Sequence, residues 1–478
     1  MSTSAAATPA TQVTPFPAIR TGRPVDPATV IADLGDGLVL RHATPNDADA
    51  LAAFNGEVHR DEGSTGPDEW VAAWTRELLT LPHPTVRPDL FTVVEDTRDG
   101  TIASTMNLIP QTWSFDGIPF GVGRPEIVGT HPAYRRRGLV RHQFAEVHRW
   151  SAAMGHLAQG ITGIPWYYRQ FGYEMCLDLG GSRRLPTREV PALPEGEAEP
   201  FRLRPATEAD LPAIMAVAAH ARRRWAIADV RDEALWRLEL RRAGESTPNG
   251  QSLLVVEAVS AGADPVAVGY LSHPNRLWGT GLAVQALELG PGVSWPAAMP
   301  SVLRHLKATG ERFAAEGGPA ATPAAAFDGI TLGLGGEHPA YAALPRYATA
   351  ARPPYAWFIR VPDLPAFLRH VAPALEERLA ASPAEGHTGD LTLGLYSRPG
   401  VRLTLDRGKL TAVEPWAGEF FRADASFPDL TFLQLLVGWR SLEEVERAFP
   451  DCSARGATAR ALLDALFPRR PSLVWPVQ

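Results

Sequence analysis

The sequence predicts an α+β protein of mixed, mostly antiparallel sheets with helices, laid out as two copies of one unit followed by a different C-terminal module. Three observations predict it. Leu40-Arg41-His42-Ala43-Thr44-Pro45-Asn46-Asp47 recurs as Leu203-Arg204-Pro205-Ala206-Thr207-Glu208-Ala209-Asp210, an offset of 163 residues from Arg41 to Arg204. Each copy reads as a short strand, an N-capping threonine and an apolar-periodic helix, so a whole unit is duplicated. Asp99-Gly100 and Asp116-Gly117 sit between β-rich segments and read as two hairpin turns of an antiparallel meander. After Tyr355 the pattern changes.

Residues 1–35 are rich in Ala, Thr, Ser and Pro, with neither an apolar segment nor the basic start of a secretory signal, and are expected to be a flexible tail. The first unit, 36–190, carries the meander into a strand, Glu126 to Thr130. A helix follows in which Val140, Phe144, Val147, Ser151 and Met154 keep helical spacing and Gly155 ends the run. A further strand is expected from His156 to Thr162. In the second unit, 200–355, the matching strand-to-helix junction is Leu289-Gly290-Pro291-Gly292-Val293-Ser294-Trp295-Pro296. It has no arginine, and its prolines remove amide donors. Leu334-Gly335-Gly336-Glu337 lacks the downstream acid that a dinucleotide site needs.

In 356–478, Asp363 to Ala381 reads as one amphipathic helix, and 390–416 as a meander turning at Arg398-Pro399-Gly400 and Asp406-Arg407-Gly408. Two helices close the chain, the first with a capping box, Ser441-x-x-Glu444. Phe432 to Gly438 is apolar enough for core or for the wall of a lipid tunnel, and core is the preferred reading. The closing Pro471-Ser472-Leu473-Val474-Trp475-Pro476-Val477-Gln478 is apolar and proline-stiffened, and so is expected to dock.

A length of 478 residues suits about three domains. The net charge of -7 argues against nucleic acid as a partner. Cys176 and Cys452 lie too far apart in sequence to suggest a disulfide framework or a thiolate metal site, and no stretch approaches the roughly 18 apolar residues of a membrane span. A cytoplasmic protein is expected. The 13 histidines show no His-Glu-x-x-His spacing, and no Gly-x-Ser-x-Gly elbow is present.

The most informative stretch is His131-Pro132-Ala133-Tyr134-Arg135-Arg136-Arg137-Gly138-Leu139-Val140-Arg141, a basic, glycine-containing turn between strand and helix. Helix-start amides, the helix dipole and a glycine that lets backbone approach a ligand together favour an anion, most naturally a pyrophosphate. The run resembles the acetyl-coenzyme A loop of the GNAT acetyltransferases, Arg/Gln-x-x-Gly-x-Gly/Ala, here Arg135-x-x-Gly138-x-Val140. Valine at the last position followed by Arg141 departs from the general pattern and is similar to the enhanced-intracellular-survival (Eis) branch, Arg-Arg-Arg-Gly-aliphatic-aliphatic-Arg. Farther on, Tyr168-Arg169-Gln170-Phe171-Gly172-Tyr173 resembles the family's Tyr-x-x-Phe-Gly-Tyr element.

The resemblance implies two tandem GNAT (acyl-CoA N-acyltransferase) folds, the second degenerate, and a sterol-carrier-like C-terminal domain. It implies acetyl-coenzyme A as co-substrate, held by Arg135, Arg136, Arg137, Gly138, Leu139, Val140 and Arg141, with Val128, Gly129 and Thr130 supplying backbone donors to the oxyanion. It places Tyr168 on the tyrosine that protonates the departing thiolate, and leaves Phe171 and Tyr173 to core packing. Two bases remain open. The Eis branch uses the chain's own terminal carboxylate, here on Gln478, although Gln departs from that branch's usual aromatic terminus. Glu126 is the other, since Glu126, Val128 and Thr130 alternate onto one strand face; the competing reading of Glu126 is a salt bridge. The expected reaction is acetyl transfer to a primary amine of a small, cationic acceptor, aminoglycoside- or polyamine-like, by a homo-oligomer with no metal. The alternatives are a coenzyme A- or lipid-binding sensor without turnover, and a scaffold.

Overall fold

The computed structural model describes residues 16–64, 66–243, 249–260, 262–316, 327–344 and 349–477. The first elements are β1 (Val30–Gly35), β2 (Leu38–His42), α1 (Ala48–Val58), α2 (Glu69–Thr80), β3 (Phe91–Asp96), β4 (Thr101–Phe115), β5 (Ile118–Thr130), α3 (Leu139–Ala153), β6 (Ala158–Ile161), β7 (Glu174–Leu179) and β8 (Ser182–Pro186). By packing, the chain up to Pro82 with Arg87–Asn107 and Ile127–Glu146 forms one body, and His83–Val86, Leu108–Glu126 and the chain from Val147 onward form another.

In the first body β1, β2, β3 and the start of β4 pair antiparallel in that order. The expected tail is therefore wrong for its last residues. β1 turns into β2 through Asp36 (φ 51°) and Gly37 (φ 76°), a two-residue hairpin whose left-handed positions suit Asp-Gly. Farther upstream, Thr21 N donates to Gly100 O (3.0 Å), and Ile19 O accepts from Ile102 N (2.9 Å). β1 escapes a sequence reading because it is a half-exposed edge strand whose apolar residues do not alternate and follow a stretch rich in Ala, Thr, Ser and Pro. Residues 1–15 of the expected tail lie outside the described residues.

In the second body the rest of β4 meets β5 across Asp116 (φ 44°) and Gly117 (φ 86°), as the Asp-Gly signal predicts. β5 continues to β6 in parallel, Val122 opposite Ala158, and the far side of β4 takes Ile227–Asp229. The strand Tyr355–Arg360 then inserts between β6 and β7, antiparallel to both. Conversely, β8 leaves for a different sheet, lying between Gly329–Leu332 and Thr349–Arg352. Expected boundaries near 190 and 355 thus cut across sheets that exchange strands.

The repeat is visible as geometry. Arg41 Nη2 donates to Asp47 Oδ1 (2.9 Å) and Arg41 Nε to Glu95 Oε2 (2.8 Å), while Thr44 N donates to Asp47 Oδ2 (2.8 Å). Arg204 repeats it with Asp210 (2.7 Å) and Glu257 (2.8 Å), and Thr207 N donates to Asp210 Oδ2 (2.8 Å). The strand Phe201–Pro205 lies in a four-stranded antiparallel sheet with Gln251–Ala258, Val266–Pro274 and Ala286–Leu289. After Leu289 the chain turns into the helix Trp295–Glu316, so the strand–turn–helix plan persists without the arginines.

The C-terminal module holds the meander Gly389–Leu395, Gly400–Asp406 and Lys409–Trp416. Ala425–Phe427 and Ser453–Ala454 extend this sheet. The single helix expected over 363–381 is two, Leu364–His370 and Ala372–Ala380, because Pro373 has no N–H to carry the helical ladder across Val371. Phe432, Leu433, Leu435 and Leu436 are buried, packing among residues such as Phe367, Leu393 and Phe467, which is the core reading of that segment. Cys176 and Cys452 are buried free thiols. Among the described residues no helix is long and apolar enough to cross a membrane.

Candidate active site

β5 is the strand from which both candidate regions grow. At its end, Val128 and Thr130 are half-buried and Gly129 is buried; a Cβ on Gly129 would stand 2.8 Å from Val58 Cγ1, so only glycine fits. Ser104 Oγ lies 2.7 Å from Gly129 O, 2.9 Å from Thr130 Oγ1 and 2.7 Å from Gln143 Oε1, and Gln143 Nε2 donates to Thr92 Oγ1 (2.9 Å). These buried bonds fix the strand end against α3.

Between them lies the basic turn. A short 3₁₀ segment, Pro132–Tyr134, leads into exposed Arg135, Arg136, Arg137 and Gly138. Arg136 (φ 65°) and Gly138 (φ 77°) are left-handed, and among the described residues no atom comes within 4 Å of where a Gly138 Cβ would be. Gly138 O accepts from Arg141 N (2.9 Å) and His142 N (3.3 Å), which begins the helix there and leaves the amides of Leu139 and Val140 ahead of the first helical bond. Arg137 lies over the Tyr134 ring (5.2 Å), and Tyr134 Oη donates to Asp96 Oδ2 (2.8 Å). Bonds from Arg98 and Tyr134 hold the Asp96 carboxyl far below the usual carboxylate range. Leu139 is buried, Val140 half-buried and Arg141 exposed. Phe144, Val147 and Ser151 are buried along α3, whereas Met154 falls past its end and is exposed; Gly155 (φ 74°) terminates the run.

Earlier on β5 stands Glu126. Its Oε1 accepts from Arg124 Nε (2.9 Å) and Nη2 (2.6 Å) and from Thr162 Oγ1 (3.2 Å). The salt bridge foreseen as its plainer role is present, but with a buried arginine. The next residue, Ile127, takes φ 50°, which for a β-branched side chain is strained backbone in the middle of a strand. Arg124 has a second task. Its Nη1 donates to Val477 O (2.8 Å), which also accepts from Gln111 Nε2 (3.3 Å).

That contact belongs to a docked tail. Leu473 N donates to Ile227 O (3.0 Å), Trp475 N to Asp229 Oδ1 (2.9 Å), and Arg231 Nη2 to Trp475 O (2.7 Å) with its guanidinium 3.9 Å above the Trp475 ring. Val474 and Val477 are buried. Gln478 itself lies outside the described residues.

Tyr168 sits in the 3₁₀ segment Tyr167–Phe171, entered through left-handed Trp166 (φ 62°) and left through Gly172 (φ 86°). It is buried against Phe358 (5.6 Å between rings) and Tyr173 (6.4 Å), and a Cβ on Gly163 would come 3.2 Å from its hydroxyl. Burial, then the negative charge of Glu126, pushes the phenol well above its usual range. Such a hydroxyl keeps its proton at neutral pH. Tyr173 is fully buried core, bonded to His148 Nε2 (2.8 Å), while Phe171 is only partly buried. Sequence reasoning missed Arg124, Gln111, Thr162 and Arg231. Only Arg124 left a signal, its i, i+2 spacing from Glu126 on one strand face.

Residues 39–176 match the family described as acetyltransferase (GNAT) domain, which supports an N-acetyltransferase. No curated protein matches the chain by sequence. In three dimensions the chain is similar to a probable N-acyltransferase from Enterococcus faecalis V583 (TM-score 0.65, 14% identity, 91% of this chain and 98% of that one). It is also similar to a GCN5-related N-acetyltransferase from Anabaena variabilis (TM-score 0.60, 15% identity, 92% and 99%). A third likeness is to Eis1 from Mycobacterium abscessus (TM-score 0.55, 16% identity, 90% and 98%). At such identities the likeness is one of fold, and it extends over nearly the full length of each chain.

Proposed function

We propose that the protein transfers the acetyl group of acetyl-coenzyme A directly to a primary amine of a small, cationic acceptor of the aminoglycoside or polyamine kind, as an Eis-type enzyme. The observation that carries the reading is Tyr168, a buried hydroxyl kept protonated near a carboxylate, at the family's Tyr-x-x-Phe-Gly-Tyr position. A protein that merely bound coenzyme A would have no use for a proton donor there.

In this reading the open, left-handed backbone at Gly138, the amides of Leu139 and Val140 and the side chains of Arg135, Arg136, Arg137 and Arg141 hold the pyrophosphate. The co-substrate supplies an activated acyl group. The amine arrives neutral once a carboxylate has taken its proton. The Val128–Thr130 backbone donates to the oxygen that gains charge, and Tyr168 gives its proton to the leaving sulfur. Of the two bases, the terminal carboxylate is preferred, because Arg124 and Gln111 pin the carbonyl of the residue before it. Glu126 then serves to hold Arg124. The second repeat, which keeps the strand–turn–helix plan but has prolines where the first has arginines, is a degenerate GNAT domain, and the sheet-and-helix module after it is sterol-carrier-like. The working form is a cytoplasmic homo-oligomer.

Thiol release from acetyl-coenzyme A, followed across a panel of amines, tests the proposal. Acceptor-dependent release, greatest with polycationic amines, is expected. Coenzyme A binding without release for any amine would replace it with the sensor reading.

A further inference from the structure

Away from the residues discussed so far, three arginines gather where the 3₁₀ segment Tyr167–Phe171, the inserted strand Tyr355–Arg360 and the turn after Gly389–Leu395 approach one another. Arg169, Gly172, Arg398, Pro428, Asp429, Leu430 and Thr431 line a cleft of about 510 Å³. Arg360 does not line it but lies behind Gly172, where a Cβ would stand 3.3 Å from Arg360 Nε, and its charge acts on Arg398.

Among the described residues the charges do not balance. Arg169 Nη2 donates to Glu174 Oε2 (2.8 Å), so one guanidinium has its acid. Arg360 has none among the described residues: its Nη1 donates to the neutral Gln159 Oε1 (2.6 Å). Arg398 Nη2 donates to the backbone oxygen of Asp429 (2.9 Å), and its buried Nε has no acceptor among the described residues. The Asp429 carboxylate attracts Arg398 from a distance, but its oxygens are engaged by Ser397, Oδ1 accepting from Ser397 N (2.6 Å) and Oδ2 from Ser397 Oγ. Three cations therefore face two carboxylates. Burial pulls both the Arg360 and the Arg398 guanidinium below the ordinary range, and the charge of Arg360 adds to that pull on Arg398.

A buried guanidinium with an unused N–H costs stability unless an anion completes it. We infer that this cleft is a binding site for a phosphate monoester, its oxyanion taken up by Arg398 together with Arg169, with the charge of Arg360 behind them. Guanidinium groups present paired donors matched to a phosphate oxyanion. The cleft volume is several times that of an inorganic phosphate, so room remains for the organic part of an ester.

The test is titration of the full chain with glucose 6-phosphate and, separately, with inorganic phosphate, followed by calorimetry and phosphorus NMR. Saturating coenzyme A is present throughout to occupy the basic turn at 135–141. One saturable site per chain is expected, tighter for the ester, and Arg398→Gln should weaken it about tenfold or more. Arg407→Gln, which alters a side chain 87% exposed on another turn, should leave it unchanged. If Arg398→Gln does not fold, Arg398→Lys keeps the charge, loses the paired donors and should still weaken binding. Saturable binding of inorganic phosphate with no gain from the ester would overturn the assignment of ligand class. Absence of saturable binding to the native chain, or equal affinity in the Arg398 variants, would overturn the site.

Discussion

Tyr168 is excluded from water and keeps its proton, and under the proposed function that proton goes to the leaving sulfur. Tyr168→Phe keeps the ring packed against Phe358 and removes only the hydroxyl. Turnover should fall by about 10²–10⁴-fold with the melting temperature nearly unchanged; near-normal turnover would take Tyr168 out of the chemistry. His148 sets a different expectation. Burial, and then the charge of Arg360, lowers its pKa to about 3. Its unfolded value is near 6.5, so between those limits the unfolded chain binds the extra proton and stability rises with pH. The contribution is complete above about pH 6.5 and is lost as pH falls toward 3. Melting temperatures taken from pH 7 down to pH 4 should decline, and more shallowly in His148→Gln, if that variant keeps the bond to Tyr173. An identical slope would assign the acid sensitivity to other groups. Tyr168 and Glu126 could be found in the sequence because each belongs to a short pattern. Arg124 could not be recognised in full, since the carbonyl that explains it, Val477 O, is 353 residues away.

The tail is the element whose role is easiest to isolate. Its hydrogen bonds run to Ile227, Asp229, Arg231, Gln111 and Arg124 through backbone atoms, so its path depends little on the identity of the final side chain. If the terminal carboxylate is the base, a few residues added after Gln478 displace the charge and should abolish acetyl transfer while coenzyme A still binds. Replacing the Gln478 side chain should matter far less. Full activity in the extended protein, together with loss in Glu126→Gln, would move the role to Glu126. Docking of this tail was legible because Trp475 and Val477 are too apolar to be left in water. Elements carried by local rules were legible too: the Asp116-Gly117 hairpin, the Ser441–Glu444 capping box and the strand–turn–helix of the arginine run. β1 was not, because a half-exposed edge strand lacks alternation, and the break at Val371 was passed over although Pro373 announces it.

At the scale of the molecule the duplication is unequal. Both copies keep the arginine–aspartate–glutamate knot at their first strand, yet only the first has cations at the turn into its long helix. Calorimetry should therefore find one coenzyme A per chain, and Arg135→Ala combined with Arg136→Ala should weaken it about tenfold or more. Two equivalent sites would refute the inequality. The sequence displayed the duplication but hid the exchange of strands, because Ser182–Pro186 and Tyr355–Arg360 are ordinary short strands and nothing local says which sheet receives them. This exchange bears on how the protein is born. β6 and β7 must wait, unjoined, until Tyr355–Arg360 has left the ribosome, about 180 residues after β7 itself, which at about 5–20 residues per second takes about 10–40 s. During that interval two strand edges stand open to wrong partners, so the nascent chain, rather than the finished enzyme, is the form most in need of a chaperone.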